Sequence, residues 1–173
     1  MLMMWRIGLG PALNVWPEGF GRFMVLTTTG RRSGQPRRTP LNYAEIDGDI
    51  YCVAGFGGIS DWYRNLQAYP QVEIWLSQGW WVGEAEDVSD LADRLNRLRT
   101  VLRGSGFVAP LVGVDPHRLS DAELAAATTN YRLVRIRPIA ERRGAGGPGE
   151  EAWIWPQAAL ALLVFLALSK REV

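Results

Sequence analysis

The sequence predicts an α+β protein, mostly β, in which closely spaced antiparallel strands form a small barrel with helices between them. Runs rich in β-branched and aromatic residues are separated by short turns, a pattern typical of hairpins. Helical periodicity is confined to a few short segments. Strands and helices do not alternate regularly, which argues against a doubly wound parallel fold.

The first strands surround a basic turn. Residues Phe20–Thr29 and Arg37–Ile46 read as two strands joined through the Gly-containing turn between them. Pro40 lacks an N–H donor, so we expect it at a sheet edge or a bulge. Asp47-Gly48 is a hairpin signal that leads into a third strand, Asp49–Ala54.

The remaining elements follow from capping residues and periodicity. Ser60 or Asp61 can cap a short helix that Pro70 stops, and Ser120–Glu123 fits a capping box. Four leucines at helical spacing predict an amphipathic helix over Ser89–Arg103. The other predicted elements are a hairpin of Gln71–Leu76 with Trp80–Glu86 and a last strand, Asn130–Pro138.

Four regions are predicted. Residues 1–22 form an N-terminal apolar segment, and residues 23–140 form the barrel domain that carries the candidate binding residues. Residues 141–151 are a Gly-rich linker, and residues 152–173 are an apolar C-terminal helix and candidate membrane anchor.

Composition excludes several functions. The chain has 173 residues with 19 basic and 18 acidic side chains, so its net charge of +1 argues against a general nucleic-acid binder. With one cysteine, an internal disulfide is impossible, and a structural zinc site lacks ligands. No metal site is expected. Cys52 lies in a strand-like run and is expected to be a packing residue, and His117 lies in a loop.

The stretch "TTTGRRSGQPRRTPLNY" gathers Arg31, Arg32, Arg37 and Arg38 around one turn without an acidic residue. Guanidinium groups bind phosphate and carboxylate oxygens in pairs, so the turn is a candidate anion site. A solvated basic turn and a nucleic-acid contact are the alternatives. Few aromatic residues are interleaved with the arginines, which disfavours nucleic acid.

Three motifs in order carry a resemblance to a known family. The stretches "LTTTGRRSGQPRRTPL", "DGDIYCVAGFGG" and "DWYRNLQAYPQVEI" resemble the deazaflavin (coenzyme F420)-dependent nitroreductase and quinone reductase family. The resemblance implies a split β-barrel of the flavin-reductase or FMN-binding type. It also implies an 8-hydroxy-5-deazaflavin coenzyme, with FMN or haem as alternative ligands.

The resemblance assigns the coenzyme contacts residue by residue. Its basic segment, strand-end loop and helix start would hold the coenzyme's acidic parts and ring system. In this chain they correspond to Arg31, Arg32, Gln35, Pro36, Arg37, Thr39, Pro40, Ala54, Gly55, Phe56, Gly57, Gly58, Asp61, Trp62 and Asn65.

The implied reaction is transfer of a hydride from the reduced deazaflavin to a quinone-like or conjugated acceptor, with nitro compounds included. Nitro-reducing members carry a serine and a lysine where this chain has Gly55 and Phe56, which disfavours nitroimidazole reduction. Tyr43 is a candidate proton donor, with water as the alternative. The competing interpretation is a non-catalytic barrel that binds a flavin, haem or lipid.

The segment Ala152–Leu168 contains no charged residue and would form a helix about 26 Å long. Trp153 and Trp155 stand where interfacial tryptophans occur, and Lys170-Arg171 follow. We therefore expect membrane contact through this segment, a cytoplasmic location at the inner face of the membrane, and a small lipophilic acceptor. Packing on the barrel or on a second subunit, as in a homodimer, is the alternative.

Overall fold

A single antiparallel sheet organises the chain. The computed structural model describes residues 1–169, and side chains for all of these except residues 18, 20 and 164–169. The sheet has seven strands in the order β2-β1-β5-β6-β7-β4-β3. These are β1 (Phe23–Thr29), β2 (Pro36–Asn42), β3 (Ala44–Ile46), β4 (Asp49–Ala54), β5 (Gln71–Leu76), β6 (Gly79–Asp87) and β7 (Arg132–Glu141).

Short helices occupy the connections and both ends. They are α1 (Leu2–Arg6), α2 (Pro17–Phe20), α3 (Asp61–Ala68), α4 (Arg94–Arg103), α5 (Val108–Leu111), α6 (Asp121–Ala127) and α7 (Ile154–Ser169). Single 3-10 turns lie at Gly10–Asn14 and Gly57–Ile59.

The sheet curls into a split barrel because its two edges are covalent neighbours. Strands β2 and β3 lie at opposite edges of the sheet, yet only Tyr43 separates them in sequence. One residue cannot span a flat seven-stranded sheet, in which strands lie about 4.8 Å apart. The edges must therefore approach each other at Tyr43. The expected continuous strand Arg37–Ile46 is in fact two edge strands, and Pro40 lies on edge strand β2 as predicted.

The two faces of the sheet bury different cores. The inner face holds Met24, Leu26 and Ile74, with Leu66 of α3 in the same cluster. Alternation along β1 turns Val25 to the outer face. There it joins a second, Trp-rich cluster of fully or nearly fully buried side chains, Trp5, Trp75 and Trp80.

The Gly-rich segment predicted as a linker packs against this outer face. A Cβ on Gly147 would lie 2.6 Å from the Trp80 ring, so only glycine fits there. The Gly149 N–H donates to the Trp5 carbonyl at 2.8 Å. Arg6 of α1 pairs with Glu150 at 3.2 Å and also with Glu151. The N-terminal segment and residues 142–153 therefore form one packed unit, which we term the terminal clasp.

Helix starts were predicted with mixed success. The capping box is confirmed: Ser120 and Glu123 bond reciprocally at the start of α6. The helix predicted from Ser89 begins only at Arg94. The reason is that the Ser89 Oγ accepts the Leu133 N–H at 3.0 Å, which keeps Ser89 beside β7.

The tail contains α7, while residues 170–173 of the predicted segment 152–173 lie outside the described residues. Within residues 1–169, no helix has the combination of length and apolarity that a membrane crossing requires.

Candidate functional site

The basic turn between β1 and β2 is closed by its own backbone. The Gly30 N–H donates to the Gln35 carbonyl at 2.8 Å, and the Gly34 N–H donates to the Gly30 carbonyl at 2.8 Å. Gly34 has φ +66°, a left-handed conformation that favours glycine. Both glycine N–H groups are thus used within the turn. Charge recognition falls to the side chains.

Arg31 is fastened to the start of α3. Its backbone N–H and its Nη1 both donate to the Asn65 Oδ1, each at 3.1 Å. Its Nη2 lies 2.9 Å from the Asp61 carboxylate. Asn65 is buried, and its Nδ2 donates to the Thr28 Oγ1 at 3.2 Å. This chain of contacts fixes the turn against the helix and uses the charge of Arg31 internally.

Arg38 is engaged on the outer face. Its guanidinium lies 4.7 Å from the centre of the Trp75 ring, a cation–π distance. Its Nη2 donates to the Gly146 carbonyl at 2.7 Å, and its Nη1 is 4.0 Å from Glu150. Arg38 therefore ties β2 to the terminal clasp.

Arg32 and Arg37 are different from these two. Both are exposed, and neither forms an ion pair with any of the side chains that the structure describes. The polar side-chain contact of Arg37 is a long one to the Ser33 Oγ, at 3.5 Å. Two guanidinium groups at one turn, without an acidic partner among the described side chains, favour a bound anion, because an anion would offset their like charge.

A cavity of about 730 Å³ lies between this turn, β2, α1 and α3. Its size falls within the range of small-molecule and cofactor sites. The predicted binding residues that line it are Arg31, Arg32, Pro36, Arg37, Thr39, Asp61, Trp62 and Asn65. The lining combines guanidinium groups with the partly buried ring of Trp62. Such a lining suits a flat ligand with an anionic extension.

The other predicted contacts do not line this cavity. They are Gln35, Pro40, Ala54, Gly55, Phe56, Gly57 and Gly58. Ala54 is buried in the inner core, while Phe56 is 83% exposed. Gly57 is explained by packing, because a Cβ there would lie 2.4 Å from the Asn130 carbonyl oxygen. The strand-end loop is thus close in sequence to α3, which lines the cavity, but no residue of the loop lines the cavity itself.

The candidate proton donor Tyr43 is 4% exposed and belongs to the inner core. It is not among the residues that line the cavity. Burial raises the pKa of its phenol, against a smaller lowering effect of Arg22. The geometry gives Tyr43 no access to a ligand in this cavity. Burial likewise raises the pKa of the Cys52 thiol to about 12, as expected for a packing residue.

Sequence reasoning missed several cavity residues. Ser33 and Gly30 belong to the turn itself, and their proximity to the assigned arginines was a usable signal. Leu2 also lines the cavity. It is remote in sequence from every other lining residue, and no local pattern indicates its position.

A family of known proteins matches this chain. A sequence model of the family described as F420H(2)-dependent quinone reductase matches residues 11–106, more than half of the chain. The chain belongs to this family. The match spans β1, the arginine turn, β2 and α3, and leaves out α1, which supplies Leu2 to the cavity. The predicted family is therefore confirmed, and the description of that family names reduced F420 as the reductant.

Curated relatives match this family member over a shorter stretch. An F420H(2)-dependent quinone reductase of Mycobacterium tuberculosis is 51% identical over 55 residues. That stretch covers 30% of this chain and 36% of the relative. The similarity thus spans about a third of the relative's length.

Solved structures confirm the fold alone. A Bacteroides thetaiotaomicron protein ascribed to 5-nitroimidazole antibiotic resistance aligns with a TM-score of 0.52 and 16% identity, over 69% of this chain and 74% of its own. The heme storage protein HutZ of Vibrio cholerae aligns with a TM-score of 0.50 and 15% identity, over 75% and 89%. Proteins with different roles share this split-barrel architecture, so the fold by itself does not select a ligand.

Proposed function

We propose that this chain reduces quinone-like acceptors with the hydride of reduced F420 bound in the cavity between the arginine turn and α3. The observation that carries the proposal is the pair of exposed, unpaired guanidinium groups, Arg32 and Arg37, on the wall of a cavity of about 730 Å³. The matched region of a family of F420H(2)-dependent quinone reductases contains that wall.

The chain's own residues bind and orient. Arg32 and Arg37 would hold the anionic part of the coenzyme through charge-assisted hydrogen bonds. Trp62 and Leu2 would offer apolar contact to its ring system. Arg31 would act indirectly, because its contacts to Asn65 and Asp61 fix the turn in place.

When bound, reduced F420 supplies the hydride, so the protein needs no nucleophile of its own. Reduction of a quinone to a quinol takes up this hydride and one proton. The buried Tyr43 has no access to the cavity, and the proton would therefore come from water at the cavity mouth.

Two measurements test the proposal. Titration of the purified protein should show tighter binding of F420 than of FMN, since the arginine wall suits a ligand whose acidic tail extends beyond its phosphate. Reduced F420 should then be oxidised under anaerobic conditions when menadione is added, as followed by the visible absorbance of the oxidised deazaflavin. Equal or tighter FMN binding, or no oxidation above a protein-free control, would contradict the proposal.

A nitroimidazole in place of menadione tests the acceptor class. Gly55 and Phe56 replace the serine and lysine of nitro-reducing members, so we expect slower reduction of the nitro compound. A nitroimidazole rate equal to the menadione rate would broaden the acceptor class.

A further inference from the structure

The part of helix α7 whose side chains are described, residues 154–163, exposes apolar side chains on every side. Leu160, Leu162 and Leu163 are 63%, 57% and 64% exposed. At about 100° per residue, Leu160 and Leu163 lie about 60° apart on one side of the helix, and Leu162 lies on the opposite side. The intervening residues are exposed as well, since every residue from Trp155 to Leu163 is exposed. A single protein partner would cover one side of such a helix and leave the others in water.

The start of α7 is fixed to the body of the protein. The Trp155 Nε1 donates to the Ile7 carbonyl at 2.8 Å, and the Glu151 N–H donates to the Arg6 carbonyl at 2.9 Å. Ion pairs from Arg6 to Glu150 and Glu151 add to this attachment. The helix therefore projects from the terminal clasp at a defined place.

That place lies beside the candidate coenzyme cavity. Leu2, in the first turn of α1, lines the cavity, and the same helix leads to the Ile7 carbonyl that holds Trp155. Arg38 of β2 also lines the cavity and bonds to Gly146 of the clasp. A surface that binds α7 would therefore lie near the side of the barrel that carries the cavity.

We propose that α7 is immersed in the apolar part of a lipid bilayer, and that the terminal clasp holds the coenzyme cavity next to that bilayer. The hydrocarbon region of a bilayer surrounds a helix on all sides, which matches a helix that is apolar all round. Trp153 and Trp155 at the start of the helix suit the headgroup region, and Lys170-Arg171 follow it in sequence. At about 24 Å the helix is shorter than the hydrocarbon core, so the proposal is immersion, without crossing.

Membrane docking goes beyond the reduction reaction, and only its consequence rests on the proposed function. A cavity held at the bilayer would draw an acceptor that is dissolved in lipid. Docking itself is measurable without any substrate.

The test uses the full-length chain and sedimentation with phosphatidylcholine–phosphatidylglycerol vesicles. Leu160→Asp combined with Leu163→Asp should reduce the vesicle-bound fraction about tenfold or more, because immersed carboxylates are costly. Leu111→Asp is the matched control, since Leu111 is 76% exposed on α5, and it should bind like the original protein. Circular dichroism should confirm that both variants are folded.

Three outcomes would overturn the proposal. The original protein could remain in the supernatant. The Leu111→Asp control could lose as much binding as the double variant. The original protein could also be a detergent-free dimer in ultracentrifugation that the double variant turns into a monomer, which would assign α7 to a second copy of the chain.

Activity separates docking from the proposed function. If both proposals hold, the double variant should reduce water-soluble menadione like the original protein and lose turnover only with a lipophilic quinone in vesicles. Failure of the original protein with both quinones, together with intact vesicle binding, would remove the proposed function and leave docking in place. Equal turnover of the vesicle quinone by the double variant and the original protein would show that docking does not favour an acceptor dissolved in lipid.

Discussion

Arg37 and Arg38 are neighbours in β2, yet they serve opposite faces of the sheet. Arg37 pairs in register with Thr28, on the inner face that α3 covers, and its side chain is exposed beside the cavity. Arg38 pairs with Thr27, and its guanidinium stacks on the outer-face residue Trp75, although Arg38 also borders the cavity at this edge of the sheet.

The difference teaches that a cluster of like charges in sequence need not be one site. Alternation along a strand sends successive side chains to opposite faces. Internal contacts engage the guanidinium of Arg38 on the outer face, as Asp61 and Asn65 engage that of Arg31. The unpaired charge that remains for a ligand is that of Arg32 and Arg37.

The largest expected effect comes from removing this unpaired pair. Arg32→Ala with Arg37→Ala should weaken F420 binding about a hundredfold or more, because each charge-assisted hydrogen bond contributes about 1.5–3 kcal/mol. Fluorescence titration measures the dissociation constant. The melting temperature should stay close to that of the original protein, since both side chains are exposed.

Arg103→Ala is the matched control for charge, because Arg103 is exposed on α4 and does not line the cavity. An equal loss of affinity in this control would show that net charge alone matters and would return the turn to a solvated basic loop.

Breaking the internal partner of Arg31 should mainly affect stability. Asn65→Ala leaves the Arg31 N–H and the Thr28 hydroxyl without their partner in a buried environment. The free energy of unfolding should fall by about 2–4 kcal/mol, as measured by urea denaturation. Asn96→Ala, at an exposed position on α4, should change it by less than about 0.5 kcal/mol. Stability close to the original in Asn65→Ala would mean that the Arg31 contacts do not fix the turn.

The neighbouring arginines give a reciprocal test. Arg38→Ala removes the stacking on Trp75 and the hydrogen bond to Gly146, so the free energy of unfolding should fall by about 1–2 kcal/mol. Arg37→Ala should leave it nearly unchanged. A larger loss of free energy of unfolding in Arg37→Ala than in Arg38→Ala, measured by urea denaturation, would contradict the assignment of the two arginines to different faces.

The smallest effect concerns the attachment of α3, whose Tyr63 hydroxyl donates to Asp87 of β6. Burial and then this hydrogen bond raise the pKa of Tyr63 to about 12. Burial alone would raise the pKa of Asp87, but hydrogen bonds from Ser89 and Tyr63 outweigh it and lower that pKa. Tyr63→Phe should reduce the free energy of unfolding by about 1 kcal/mol at neutral pH.

The pH dependence fixes the sign of this effect. The stability that Asp87 contributes is present above its ordinary pKa of about 3.9 and is lost as the pH falls through the lowered value. The difference in free energy of unfolding between Tyr63→Phe and the original protein should therefore become smaller in acid. The stability that Tyr63 contributes is lost as the pH rises from about 10 towards 12, so the difference in free energy of unfolding should become smaller there as well. Urea titrations across this range check both arms, and a constant gap would contradict the assignment.

Local patterns were sufficient for most elements of the sheet. The Asp47-Gly48 turn, the edge position of Pro40 and the capping box at Ser120 each depend on the chemistry of a few adjacent residues. The helix predicted from Ser89 was wrong at its start because a contact to Leu133, remote in sequence, holds Ser89 outside the helix. Local periodicity carries no information about such a contact.

The sequence by itself determined the antiparallel class, the basic turn and the motifs of the family, because turn chemistry, side-chain alternation and motif spacing are properties of short segments. Only the tertiary structure decided which arginines remain unpaired, that Tyr43 is buried away from the cavity, and that Leu2 lines it. It also showed the Gly-rich segment packed against Trp80 and Trp5, where the sequence predicted a linker. The physical reason is common to all of these: pairing, burial and cavity walls depend on residues far apart in the chain, which meet only when the sheet curls and its two faces are covered.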